Sequence, residues 1–357
     1  MYSTAMRVER VDEPADEWNA FVHSQPGAQL GHAAEWCRIL RRAYGLETVA
    51  LAARDDRGAI RGVLPLAVFR GLRGSRELVS LPYLDAAGVL SADAEAARAL
   101  RDAAFETARA RGAAAVELRE IPACDETLAA EEQGDDSAPR RVDLRLSLEA
   151  DEEAQWSAVG AKVRNQTRKA TKQGLELGEA TGLDAIPAFY EPFCQNMRDL
   201  GSPVHGRALF EEVVRTFGDA SHVVTCHGGG PSVGGLVAIE LAGTVYVPWA
   251  STLRAERARC PNNLIYWEAL RWAIERGAGA FDFGRSPVGE GTYRFKKGWG
   301  ASEVPLRWSR FDRDGSALPV EAIGDDPRMK RLSDVWARLP VGLTKVLGPP
   351  IRRRLAA

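Results

Sequence analysis

Side chains that can stabilise or protonate an oxyanion gather in one short stretch. Gly291-Thr292-Tyr293-Arg294-Phe295-Lys296-Lys297-Gly298-Trp299-Gly300 follows the loop Gly289-Glu290-Gly291 and reads as a basic, aromatic turn. A lysine such as Lys296 on an aromatic-flanked segment can stabilise a developing oxyanion, and Tyr293 can serve as a general acid. The competing reading for Tyr293, Phe295 and Trp299 is core packing. Just upstream, Asp282 and Arg285 bracket Phe283-Gly284 at the C-terminal end of a candidate strand. In mixed sheets that end often borders the ligand crevice. Asp282 there orients Arg285, or the two form a structural ion pair.

Two further sets of residues suit phosphate. Lys162, Arg164, Arg168, Lys169 and Lys172 lie within eleven residues that contain no acid. At helical pitch Arg164, Arg168 and Lys172 share a face, which fits phosphate or an RNA backbone as well as it fits a solvated basic surface. Arg254, Arg257 and Arg259 precede a helix start at which Asn262 is the expected N-cap, with Asn263 just inside. Free N–H groups at a helix N-terminus attract anions, although capping and surface arginines alone explain the pattern too. Gly228-Gly229-Gly230 and Gly234-Gly235 fall at a hairpin and a strand, so they read as turn chemistry rather than a phosphate loop.

The elements that must position these groups occur twice. In the first half, strands are expected at 48–53, 60–69, 77–81 and 115–119, with a helix over 96–111 ended by Gly112. In the second half, strands at 223–226, 233–241, 244–250 and 280–284 enclose a helix over 264–276 ended by Gly277. The repeated order predicts duplication of one α+β unit. The acidic stretch from Cys124 to Arg141 is poor in core residues and reads as an exposed loop near the boundary. The predicted division is a first unit over 1–145, a second over 146–320 and a basic C-terminal tail over 321–357. That tail mixes arginine and lysine with Val, Leu and Ile and can touch an anionic membrane, but Pro349-Pro350 argues for a frayed end.

At 357 residues and a net charge of −2, the chain is long enough for two ordinary cores, and wholesale nucleic-acid binding is not expected. Five scattered cysteines give no CxxC pair and five histidines no metal spacing, so no metal is expected. His222 and His227 read as brackets of a strand. No apolar run is long enough to span a bilayer and no signal peptide is seen, so a cytoplasmic location is expected, or a peripheral one at the inner membrane face.

Four segments together resemble the FemAB-like transferases: Val247-Pro248-Trp249-Ala250-Ser251-Thr252-Leu253, Cys260-Pro261-Asn262-Asn263-Leu264-Ile265-Tyr266-Trp267, Phe281 to Ser286 and Gly291 to Gly300. Lys162 to Ala170 is similar to the basic segment that opens the second unit in that family. More narrowly, the chain resembles the FemAB-related proteins of exosortase/PEP-CTERM and exopolysaccharide systems. The resemblance covers roughly 20–320 and is specific between 245 and 300.

The resemblance implies an α+β fold of two tandem GNAT-like units, each a mixed, mostly antiparallel sheet flanked by helices, the first unit being the degenerate one. It implies transfer of an acyl or aminoacyl group to an amine or hydroxyl of a glycan or lipid-linked envelope precursor. Lys296, Tyr293 and Arg285 would carry catalysis. Phe295, Asn262, Asn263, Trp249 and Asp282 would contact substrate, and Arg164, Arg168, Lys169 and Arg254 would face phosphates. The donor is aminoacyl-tRNA or acyl-CoA. No coiled-coil insertion suggests a tRNA arm, and no Gln/Arg-x-x-Gly-x-Gly/Ala loop follows the strand at 244–250. The alternatives are an acyl-CoA-dependent N-acetyltransferase of a small amine or amino sugar, and a non-catalytic scaffold of polysaccharide export. The oligomeric state is left open.

Overall fold

The computed structural model describes residues 6–71, 74–121, 141–320 and 327–355. The loop expected between Cys124 and Arg141 lies outside the described residues, apart from Arg141 itself.

The first half contains β1 (Arg7–Val11), α1 (Asp16–Ser24), α2 (Glu35–Tyr44), β2 (Glu47–Arg54), β3 (Ile60–Arg70), β4 (Arg76–Val79), β5 (Leu90–Ser91), α3 (Ala94–Ala110) and β6 (Ala115–Glu120). The second half begins with β7 (Arg141–Ser147), α4 (Glu152–Ala158), α5 (Ala161–Lys172), β8 (Glu176–Leu177), α6 (Gly182–Asp199), α7 (Arg207–Phe217), β9 (Ser221–His227) and β10 (Ser232–Leu241). It continues through β11 (Thr244–Thr252), α8 (Pro261–Glu275), β12 (Ala280–Pro287), α9 (Gly291–Gly298) and β13 (Ser302–Pro305). β14 (Arg307–Asp312), β15 (Ala317–Leu318), α10 (Pro327–Trp336) and α11 (Val341–Arg352) complete the chain.

Contacts divide the chain into one unit of residues 1–138, 305–322 and 353–357 and another of 139–304 and 323–352. The sheet of the first has the order β1-β2-β3-β4-β6-β14-β15, with β5 also on β3. The sheet of the second has the order β13-β7-β12-β11-β10-β9-β8. The expected duplication is visible strand by strand. β4 runs parallel to β6 through Glu77–Val79 and Ala115–Glu117, as β11 runs parallel to β12 through Thr244–Tyr246 and Ala280–Asp282. A helix joins each parallel pair, and a left-handed glycine, Gly112 or Gly277, ends it. There the amide three residues past each helix returns to a carbonyl five back, Ala113 to Ala108 and Ala278 to Ala273.

The strand beyond each parallel pair was not foreseen. β14 pairs antiparallel with β6, and β7 antiparallel with β12. β14 and β15, within the stretch assigned by sequence to the second unit, therefore complete the first sheet. The expected C-terminal tail is two helices, α10 and α11, and the frayed end expected from its prolines is replaced by helix through Pro349 and Pro350. Tertiary contacts hold that last turn: Gly348 lies against Val204, and Arg352 Nε is 3.1 Å from His205 Nε2.

Each core follows from periodicity. In α3, Ala96, Leu100, Ala104 and Ala108 recur every four residues and are buried against Val49, Leu51, Leu64, Leu66, Leu78, Val116 and Leu118. In the second unit, Ile265, Tyr266, Ala269, Leu270 and Ala273 of α8 pack on Val142, Leu144, Val245, Phe281 and Phe283. The opposite face of that sheet carries α6 and α7, where Phe189 stacks on Phe193 and both meet Phe210 edge to face, with centroids 5.1–5.3 Å apart. Gly235 permits this approach, since a Cβ there would lie 3.3 Å from Phe189 Cδ2 and 2.4 Å from Val224 O of the neighbouring strand.

Candidate active site

The ladder between β11 and β12 stops after Tyr246–Asp282, although β11 runs on to Thr252 and β12 to Pro287. Two bulges accompany the parting. Between Val237 and Ile239 of β10, the facing positions on β11 advance from Trp249 to Tyr246, so β11 carries one extra residue around Val247-Pro248. Proline suits this place because a bulge releases an N–H from the ladder. The extra residue changes which side chains face which way. Val247 lies in the core under α8, whereas Trp249 turns to the other face and meets Phe210 at 5.1 Å. Ser251 faces that side too, accepting a 3.0 Å bond from Asn196 Nδ2.

The second bulge lies on β12 between Asp282 and Arg285, where Gly284 takes φ +74°, a left-handed backbone that favours glycine. Lys296 of α9 uses it. Its Nζ donates to Gly284 O at 2.8 Å and to Arg285 O at 3.0 Å, and the side chain is 7% exposed. The expected basic turn is thus a two-turn helix that carries Lys296 under the parted end of β12. Tyr293, one turn earlier, donates to Glu303 Oε1 at 2.6 Å on the exposed side. Phe295 packs on Tyr266 and Trp299 at 5.3 and 6.2 Å, as the core reading expected.

Asp282 points away from Phe281 and Phe283, to the α6/α7 face. It is buried, accepts Arg145 Nε at 2.8 Å through Oδ2, and accepts the Gly284 amide at 2.7 Å through Oδ1. Arg145 also approaches Asp143 Oδ2 at 3.5 Å and lies 5.9 Å from the Tyr246 ring. Burial alone would lower the Arg145 pKa, but the charges of Asp282 and Asp143 and the Tyr246 phenol outweigh it and raise it. Burial raises the pKa of the Tyr246 phenol. Arg285 stands opposite Asp143 in the ladder. Asp282 therefore belongs with Arg145 and Asp143, two residues the sequence reading passed over. Their signal was the alternation in Arg141-Val142-Asp143-Leu144-Arg145-Leu146, which puts the charged residues on one face of the strand and the apolar ones on the other.

At the start of α8 the expected N-cap moves. Cys260 is the cap, with φ +64°, and Pro261 is the first helical residue. Asn262 and Asn263 are the second and third. Asn263 Nδ2 is buried without a hydrogen-bond partner, as are Ser286 Oγ on β12 and Trp299 Nε1. The basic residues separate into different roles. Arg164 donates through Nη1 to the carbonyls of Trp156, Ser157 and Val159, so it caps the C-terminus of α4. Arg168 lies 5.3 Å over the Trp156 ring. Lys162, Lys169 and Lys172 are exposed on α5, and Arg254 and Arg257 are exposed on the 3-10 turn Arg254–Arg259. Arg259 fastens that turn to the end of α5, donating to Gln173 O at 2.7 Å. Residues 161–174 and 253–260 together hold eight basic residues and one acidic one. Among the described residues, no group of three His, Cys, Asp or Glu side chains could hold a metal ion.

The first unit has a cavity of about 430 Å³ beside the start of α3, lined by Gln29, His32, Arg98, Arg101, Arg119 and Arg307 among others. His32 Nε2 lies 3.0 Å from Gly88 O, and its Nδ1 accepts the Gln29 amide at 2.9 Å. Burial lowers its pKa to about 4.

Residues 159–297 match the acetyltransferase (GNAT) domain family. That span opens with α5 and closes within α9, so it contains both bulges and Lys296. No curated protein matches the chain significantly in sequence. Among solved structures, FemX is similar over 83% of this chain and 95% of its own at 16% identity and a TM-score of 0.66. A tandem GNAT protein from the clavulanic acid biosynthesis pathway is similar over 89% of this chain and 100% of its own, at 13% identity and a TM-score of 0.56. The C-terminal domain of a putative lysylphosphatidylglycerol synthetase from Agrobacterium fabrum is similar over 84% and 91%, at 12% identity and a TM-score of 0.53. The fold is therefore of the tandem GNAT-like type, a mixed α+β architecture with two sheets flanked by helices.

Proposed function

We propose that the chain is an acyl- or aminoacyltransferase whose second unit carries the reaction. The observation that carries this reading is the parting of β11 from β12 with the Lys296 ammonium fixed on the Gly284 and Arg285 carbonyls. Parted strands leave backbone amides and carbonyls on facing edges, where the donor's acyl carbonyl, or the amide-bearing arm of an acyl-CoA, can hydrogen-bond. The acceptor's amine or hydroxyl attacks the donor carbonyl, and a tetrahedral oxyanion forms. Lys296 supplies positive charge to that oxyanion from a site where little water screens it. Collapse expels the donor's alcohol or thiol, and the acceptor's proton leaves with it. Asp282 holds the bulged backbone through the Gly284 amide, Arg285 presents its carbonyl to Lys296, and Tyr293, held by Glu303, is the proton carrier nearest in sequence.

The donor we favour is aminoacyl-tRNA. The exposed lysines of α5 and the arginines of the 254–259 turn form a basic surface beside the start of α8, suited to a nucleic-acid backbone. Asn262, Asn263 and Trp249 flank the donor's path. The acceptor is a glycan or lipid-linked envelope precursor on the cytoplasmic side, and the system is one of exosortase/PEP-CTERM exopolysaccharide type. Support for the acceptor and the system is the resemblance of residues 245–300 to FemAB-related proteins. Acyl-CoA is the second reading for the donor, its pyrophosphate taken at the same helix start.

Transfer of label into envelope material by purified protein in a cell extract, with and without RNase, tests the reading. RNase-sensitive transfer of a labelled amino acid is expected. RNase-resistant incorporation from labelled acetyl-CoA would replace it with the acyl-CoA reading, and no transfer from either donor would remove both.

A further inference from the structure

α11 is amphipathic in the reverse sense. Its protein-facing side carries Thr344 and Gly348, both buried, with Lys345 paired to Glu191 and Arg352 bonded to His205. Its solvent side is Gly342, Leu343, Val346, Leu347 and Pro350, all exposed and all without charge. These positions recur at helical pitch and make one stripe. α10 continues the pattern. Ser333 lies against Gly201, while Leu332 and Val335 face outward on the same side as Arg328 and Arg331. Exposures reach 62% at Leu332, 58% at Val335 and 71% at Val346. Nine large hydrophobic residues are exposed among the described residues, and five of them fall between 332 and 347. An apolar surface so concentrated marks an interaction site.

Charge selects the partner. Residues 327–352 carry six basic residues and one acidic one in a chain whose net charge is −2. Arg328, Lys330, Arg331 and Arg338 are exposed around the apolar stripe, and Arg353 and Arg354 follow directly. A second copy seated on this face would bring the same basic rim against itself, because a two-fold contact pairs each patch with its own image. An anionic lipid surface instead takes the apolar stripe into its acyl boundary and the rim against its headgroups. The twelve residues of α11 are too short to cross a bilayer, so the helix lies in the interface plane.

We infer that α10 and α11 form a docking surface for an anionic phospholipid membrane, one that keeps the protein at the bilayer face whatever its donor proves to be. Co-sedimentation of the full chain with vesicles tests this. Vesicles of phosphatidylcholine with about one-third phosphatidylglycerol should bind it, pure phosphatidylcholine vesicles should bind it at least tenfold less, and rising salt should weaken the binding. Val346→Glu with Leu347→Glu replaces exposed side chains, so the fold is kept, and should abolish binding to the anionic vesicles. Arg328→Glu with Arg331→Glu should weaken it at least tenfold at low salt. Failure to bind anionic vesicles, or binding untouched by both double variants, overturns the inference. So does sedimentation of the free protein as a dimer that the Val346→Glu, Leu347→Glu variant dissociates, which would assign the face to a second copy.

Discussion

Replacing Lys296 with methionine keeps the aliphatic stem and removes the charge. Two carbonyls, Gly284 O at 2.8 Å and Arg285 O at 3.0 Å, lose their donor. A buried acceptor left unsatisfied costs about 1–3 kcal/mol, so the loss is about 2–6 kcal/mol. Relief from burying an ammonium offsets part of it. Against a stability of about 5–15 kcal/mol, the variant stays folded in the cold. For a unit of this size each kcal/mol lowers Tm by roughly 2–4 °C, so a drop of roughly 5–20 °C is expected. The catalytic effect is separable from this. Loss of one preorganised oxyanion partner costs about 10²–10³ in rate, or about 2.7–4 kcal/mol. Single-turnover transfer, measured well below the onset of melting by circular dichroism, should fall by that factor with acceptor KM unchanged. A rate within a few-fold of the parent, in protein whose near-ultraviolet spectrum is native, would refute the oxyanion role. A rate that falls only in step with the folded fraction would refute it equally.

Acid should destabilise the first unit through His32. Its folded pKa of about 4 lies below the ordinary 6.5, so the unfolded chain takes up the proton first. Stability is full above pH 6.5, declines as pH falls toward 4, and the total loss is about 3 kcal/mol. His32→Gln should flatten that part of a urea-denaturation series. Asp282→Asn removes the nearer of two carboxylates from Arg145, leaving Asp143 at 3.5 Å, and a cost below the about 3–5 kcal/mol of a fully unpaired buried charge is expected from chemical denaturation, with Arg145→Met in the same background restoring part of it. Leu100→Ala in α3 should cost about 2–5 kcal/mol by the same measurement, because Leu100 is wholly buried. Of the four described cysteines, Cys260 should react first with iodoacetamide at neutral pH, read by peptide mass mapping. Burial pushes Cys37 and Cys194 up to about 11 and Cys226 up to about 12, whereas Cys260 is partly exposed.

Local pattern carried β9 to β12 and α8 because each buries a face readable from its own residues. It failed where a property depends on a distant partner. The pairing of β14 with β6 joins Arg307 to Glu120, and no periodicity in either strand names the other. The site showed the same limit. Asp282 stood out at a strand end and Lys296 on an aromatic-flanked segment, but spacing cannot show that Arg164 turns to cap α4 rather than to a ligand. Nor does it show the extra residue at Val247-Pro248 that sends Trp249 to the face opposite α8. Phe295 illustrates a third case, in which one aromatic serves the core and borders the site together.

The exchange of outer strands sets an order on synthesis. When β6 leaves the ribosome its outer edge has no partner, and none arrives until Arg307–Asp312 has been made, after the whole of the second sheet. The second sheet meets no such delay, because β7 precedes every strand it joins. The amino-terminal half must therefore wait, with Ala115–Glu120 bare along one side, while the carboxy-terminal half closes. A chain stopped near residue 304 would leave that edge permanently open to strands of other molecules. Nascent chains halted there should be captured by chaperones and aggregate on release, whereas those extended past residue 318 should not.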